Sequence, residues 1–196
     1  MNERQNRKLH LTDILVTIVV ALVFGLVFRL LGPVYDLFKI FGLQLDAFIY
    51  GIWFIAGPFA ALLIRKPGAA LLAETAAAMA EVLFGASGGI MSFYYGVLQG
   101  LFSELIFAAW RYRKFTISVA MLSGFAASIA SFIVDLFYGY LTYLASWNFA
   151  LSLIFRMLGG AIMAGALAYA LVKALEKTGV THLVRPVTKD DYDALK

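Results

Sequence analysis

The sequence predicts an all-α integral membrane protein, a bundle of six transmembrane helices, on three observations. Hydrophobic residues make up 62% of the 196, charged residues only 14%, and the mean hydropathy is +0.85. Soluble domains are charged at about a quarter of their positions, so this chain lacks the polar residues for a water-facing shell. Its apolar residues also fall into runs near the roughly 20 that a bilayer-crossing helix needs. Lastly, its cations cluster in alternate breaks between those runs.

Taken in order, the spans cover about 12–31, 45–64, 68–84, 89–110, 116–141 and 149–175. The first follows basic residues as a signal peptide would. Its apolar run is longer than a signal sequence carries and no small-x-small cleavage site follows, so it reads as a retained helix. Gly32-Pro33 ends it. Gly57-Pro58 predicts a kink in the second span, because Pro removes a helix hydrogen bond. Arg65-Lys66-Pro67-Gly68 separates the second span from the third, which is short and alanine-rich. Gly85-Ala86-Ser87-Gly88-Gly89 leads into the fourth, Arg111-Tyr112-Arg113-Lys114 into the fifth, and Ser146-Trp147-Asn148 into the sixth. The chain reads as one membrane domain with polar tails at 1–11 and 176–196.

Six spans place 13 of the 16 Lys and Arg residues on one side: Arg4, Arg7, Lys8, Arg65, Lys66, Arg111, Arg113, Lys114, Lys173, Lys177, Arg185, Lys189 and Lys196. The positive-inside rule then sets both termini in the cytoplasm. It also accounts for the net charge of +4 with the lipid bilayer as the relevant surroundings and no nucleic acid partner.

Function is sought among the charges inside the membrane, since each costs about 2.5–3.5 kcal/mol at the bilayer centre. They are Arg29, Glu74, Glu81, Glu104, Asp135 and Arg156, with Gln99 as a neutral polar companion. The topology sets Glu81, Asp135 and Arg156, from three helices, at one level in the outer half. Two arrangements fit: a structural ion pair in which Arg156 neutralises Asp135 or Glu81, or an outward-facing pocket where a carboxylate meets a ligand. Two acids against one base favour a cationic or amine-bearing ligand. Trp53, Tyr94, Tyr95, Phe137, Tyr138 and Trp147 could wall such a pocket. Glu74 and Glu104 fall in the inner half, within reach of Arg65 or Arg111.

Enzyme chemistry finds little support. Gly85-Ala86-Ser87-Gly88 matches the G-x-S-G of intramembrane serine proteases, but that chemistry needs a base. Both histidines, His10 and His182, lie in the tails, and the chain has no cysteine and no metal-ligand cluster. No phosphate-binding loop appears, so the chain cannot energise transport by itself.

Several long stretches carry a family resemblance: Tyr50-Gly51-Ile52-Trp53-Phe54-Ile55, Ile64-Arg65-Lys66-Pro67-Gly68-Ala69-Ala70, Gln99-Gly100-Leu101, and Ala127-Ser128-Ile129-Ala130-Ser131-Phe132-Ile133 with Asp135-Leu136-Phe137. With these the chain resembles the S components, the substrate-binding subunits, of energy-coupling factor (ECF) vitamin transporters, and specifically the YkoE family. The resemblance implies a six-helix subunit that captures thiamine or its hydroxymethylpyrimidine precursor at the outer face. It implies as partners a membrane coupling subunit and two ABC ATPases, and no cofactor. Substrate-binding residues are then expected among Glu81, Asp135, Trp53, Tyr94, Tyr95, Gln99, Arg156, Trp147 and Glu104. Many S components carry an Ala-x-x-x-Ala motif on the first helix against the coupling subunit, and Ala21 and Gly25 are the nearest match here. A stand-alone transporter or channel is the alternative, with an intramembrane hydrolase behind it.

Overall fold

A computed structural model describes residues 8–41, 44–139 and 146–184. Among them every regular element is helical: α1 (Leu11–Ile40), α2 (Leu45–Ile49), a 3-10 segment (Tyr50–Phe54), α3 (Ala56–Ile64), α4 (Ala69–Leu83), α5 (Ile90–Ala109), α6 (Ile117–Phe137), α7 (Ser146–Gly159), a π-helical segment (Gly160–Ala166), α8 (Leu167–Glu176) and a closing 3-10 turn (Val180–Leu183). The tail cations Arg4, Arg7, Arg185, Lys189 and Lys196 lie outside the described residues, as does the end of the predicted fifth span.

Five stretches are long and apolar enough to cross a bilayer: Leu11–Ile40, Leu45–Ile64, Ile90–Ala109, Ile117–Phe137 and Trp147–Glu176. The predicted third span becomes α4, with 15 residues and a length of about 22 Å against about 30 Å of hydrocarbon. Its alanines explain its place. Ala69, Ala70, Ala73 and Ala77 have no exposed surface, because α1 and α5 close on α4 from both sides through glycines. A Cβ at Gly25 of α1 would stand 2.5 Å from Ala80 Cβ, and one at Gly96 of α5 would stand 2.7 Å from Ala78 Cβ. In lipid such close approach supplies the packing attraction that the hydrophobic effect supplies in water.

Two elements differ from expectation. Gly32-Pro33 does not end the first helix, which runs on to Ile40 through Pro33. A proline frees only the carbonyl one turn earlier, and a helix packed along its length tolerates that loss. The second span breaks as predicted, but ahead of Pro58: the 3-10 segment precedes α3, so Pro58 falls in the first turn of α3, where a missing N–H costs little.

One end of the bundle is tied by ion pairs. Lys66 Nζ lies 2.6 Å from Asp13 Oδ2, and Arg65 Nη2 lies 3.1 Å from Glu176 Oε1. Lys173 Nζ lies 2.7 Å from Glu176 Oε2. The start of α1, the turn before α4 and the end of α8 thus meet there, at the end where the cations gather.

Candidate functional site

The charged residues of the helices separate by what they touch. At the cationic end, Glu104 of α5 accepts hydrogen bonds from the backbone N–H of Gly68 at 2.7 Å, of Ala70 at 2.9 Å and of Leu71 at 3.3 Å. The Tyr112 hydroxyl donates to it as well, at 2.6 Å. The first turn of a helix has N–H groups without intrahelical partners and a partial positive charge, so Glu104 serves as a cap borrowed from a neighbouring helix. Tyr112 lies in the loop, and burial beside that carboxylate pushes its phenol above the ordinary value.

Glu74 does the same for α3. It is 1% exposed and its Oε2 accepts from the Gly57 N–H at 2.6 Å. Arg65 and Arg111 were the expected partners of these two acids. Arg65 turns instead to Glu176, and backbone N–H groups hold Glu74 and Glu104.

Deeper toward the opposite end, Asp135 of α6 and Arg156 of α7 form an ion pair. Arg156 also donates to Ser131 Oγ at 3.2 Å, and its guanidinium carbon lies 4.4 Å from the ring centres of both Tyr50 and Phe132. Asp135 accepts a second hydrogen bond, from the Tyr95 hydroxyl.

Glu81 stands apart from that pair, with Trp53 Nε1 donating to its Oε1 at 3.1 Å. It lines a cavity of about 750 Å³ between α1, the 3-10 segment, α4 and α5. Phe28, Arg29, Tyr35 and Asp36 come from α1, and Tyr50 and Trp53 face them. Ala78 and Glu81 belong to α4, and Ser92, Tyr95 and Gln99 to α5. The turn from Gly85 to Gly88 closes one side, and Gly85 holds φ +91, a conformation that side chains disfavour. This is the G-x-S-G tetrapeptide in its simpler role, as a turn. The aromatic wall is ordered: Tyr50 stacks on Trp53 at 5.7 Å with 22° between planes, and Tyr35 meets Trp53 edge-on at 5.5 Å.

Of the residues singled out from sequence, Glu81, Trp53, Tyr95 and Gln99 line this cavity. Asp135 and Arg156 lie one layer behind it, touching its wall through Tyr95 and Tyr50. Glu104 belongs to the other end, while Tyr94 and Trp147, 46% and 65% exposed, are not part of the lining. Ala21 and Gly25 do not offer an outer face. Ala21 is 3% exposed and Gly25 packs on Ala80, so Gly25 fastens α1 to α4. Sequence reasoning missed Tyr35, Asp36 and Tyr50 and gave Arg29 no role. The helical spacing of Phe28, Gly32, Tyr35 and of Arg29, Pro33, Asp36 was the available signal, hidden by ending the helix at Gly32-Pro33.

The lining carries two carboxylates, Glu81 and Asp36, against one guanidinium, Arg29. Asp36 is partly answered by Lys39, 2.8 Å away. Among the described residues no three His, Cys, Asp or Glu side chains gather as a metal site. The cavity therefore offers stacked aromatic faces with a carboxylate at their edge.

Residues 12–130 match the family described as the permease component of an ABC-type cobalt transport system. A protein of Bacillus subtilis (strain 168) named as an HMP/thiamine permease protein, YkoE, is 40% identical over 170 residues, covering 86% of this chain and 85% of its own. A crystal structure of an S-component of an ECF transporter superposes with a TM-score of 0.84 at 37% identity, covering 89% of each chain.

Proposed function

This chain belongs to that transport-permease family as an S component of an ECF transporter, a multi-pass protein of the plasma membrane, and we propose that it captures thiamine or its hydroxymethylpyrimidine precursor. Uptake is driven by separate ABC ATPases through a membrane coupling subunit. Both termini are cytoplasmic and the cavity opens outward, a reading supported by the cations gathered at the opposite end.

The observation that carries the proposal is the Trp53–Glu81 pair at the edge of the Tyr35, Tyr50 and Trp53 cluster. Trp53 holds one carboxylate oxygen in place, and the other is available to a ligand amine or to offset a thiazolium charge. The rings supply stacking area for a pyrimidine. A charged, rigid acceptor set into an apolar wall gives orientation as well as affinity. Mass spectrometry of the small molecule retained by protein purified in mild detergent tests the proposal. Thiamine or hydroxymethylpyrimidine is the expected mass, and recovery of an unrelated anionic metabolite overturns it.

A further inference from the structure

Two rings of the cavity wall are anchored from behind by the same ion pair. Tyr95 lines the cavity and its hydroxyl donates to Asp135. Tyr50 lines it from the facing element and lies against the Arg156 guanidinium, 4.4 Å from its carbon. Asp135 and Arg156 are 6% and 8% exposed. Neither lines the cavity, so neither is placed to touch a ligand. Arg156 is fixed further by Ser131 Oγ and by Phe132 on its other side. The linkage runs onward: Tyr50 stacks on Trp53, and Trp53 donates to Glu81.

A buried ion pair is a poor way to gain stability. Desolvation of both charges offsets their attraction, and apolar residues of similar volume often serve as well or better. What such a pair does supply is direction, since a carboxylate and a guanidinium fix the angles of the groups bonded to them. Here those groups are two cavity rings from different parts of the chain. We infer that Asp135 and Arg156 are positioning residues that set the planes of Tyr95 and Tyr50 and so make the cavity selective for a flat heteroaromatic ring. The inference rests on the proposed function for the ligand's identity, while the ordering of the rings is a property of the ligand-free protein.

Three variants keep the pair's charges and separate the roles. Tyr95→Phe removes only the hydroxyl. Asp135→Glu moves the carboxylate by one methylene, and Arg156→Lys keeps the charge but loses the planar face against Tyr50. Calorimetry with thiamine and with hydroxymethylpyrimidine should show Tyr95→Phe weakening both severalfold, and the ligand-free melting temperature should fall as well, because the hydrogen bond lost to Asp135 is made in the free protein. Asp135→Glu should weaken binding in wild type but add little once Tyr95 is Phe, the non-additivity expected of one linkage. Asp135→Glu and Arg156→Lys retain every aromatic residue, so a smaller near-ultraviolet circular dichroism band without ligand reports loosened rings directly. If wild type bound neither compound, the proposed ligand would fall, and the dichroism would still decide this inference. If Tyr95→Phe binds as tightly as wild type, or if the band is unchanged in both charge-keeping variants, the pair does not position the wall.

Discussion

The two ends of this bundle treat their acidic residues differently. At the cationic end Asp13, Glu104 and Glu176 are each held by a lysine, an arginine or a row of backbone N–H groups. At the cavity end Glu81 has a tryptophan N–H on one oxygen, and an arginine shares its cavity. Asp135, toward the cavity end, sides with the structural acids: it is as buried as Glu104 and is met by Arg156 and Tyr95, whereas Glu81 is only partly buried. The difference is how many partners the fold supplies. An acid fully met by donors fastens helices together, whereas one held on a single side and facing a cavity is available for recognition. A charge in a membrane helix is thus a reason to look, and its partners say what it does.

Glu104→Ala should break the contrast on the structural side with the largest effect. It leaves the N–H groups of Gly68, Ala70 and Leu71, and the Tyr112 hydroxyl, without their acceptor. Losing a cap and stranding buried donors costs on the order of 3 kcal/mol. Thermal unfolding in detergent should fall by several degrees or more, while the folded fraction binds ligand normally. Normal stability with lost binding would move Glu104 to the functional side.

A smaller effect sharpens the comparison at the α1–α4 seam. Gly25→Leu drives a side chain into Ala80 and the Ala77 carbonyl, and overpacking of this kind costs roughly 1–3 kcal/mol. The expected outcome is lower stability of the isolated subunit, read by its melting curve. A variant as stable as wild type that failed only to assemble with a coupling subunit would restore Gly25 as an outward contact.

Much of this was legible in the sequence, for definable reasons. Hydropathy and the alternation of cations depend on composition, so the six-helix plan and the shared end of Lys66, Arg65 and Lys173 followed without coordinates. Depth along the helices left Asp135 or Glu81 as the partner of Arg156, and the structure pairs it with Asp135. Rotation about each helix was harder. Depth alone placed Glu81, Asp135 and Arg156 at one level but could not tell that Tyr50 and Tyr95 stand between the pair and the cavity. The helix running on past Gly32-Pro33 was also hidden, because packing along α1 overrides a local breaker and brings Tyr35 and Asp36 to the wall. The backbone partners of Glu74 and Glu104 were invisible because a cap lent by another helix leaves no mark at the N-termini it serves, Ile55 and Gly68 having no capping side chain.

The central claim is that the cavity recognises its ligand through Glu81, and calorimetric titration of Glu81→Gln tests it most directly. The amide keeps the shape and can still accept from Trp53, but it loses the charge. A buried charge-assisted hydrogen bond is worth about 1.5–3 kcal/mol, so thiamine binding should weaken by roughly 10-fold to 150-fold while the ligand-free melting temperature stays close to wild type. A neutral hydroxymethylpyrimidine should lose less than thiamine if the carboxylate faces the thiazolium. Binding of both compounds at wild-type affinity would contradict the account and return Glu81 to the structural acids.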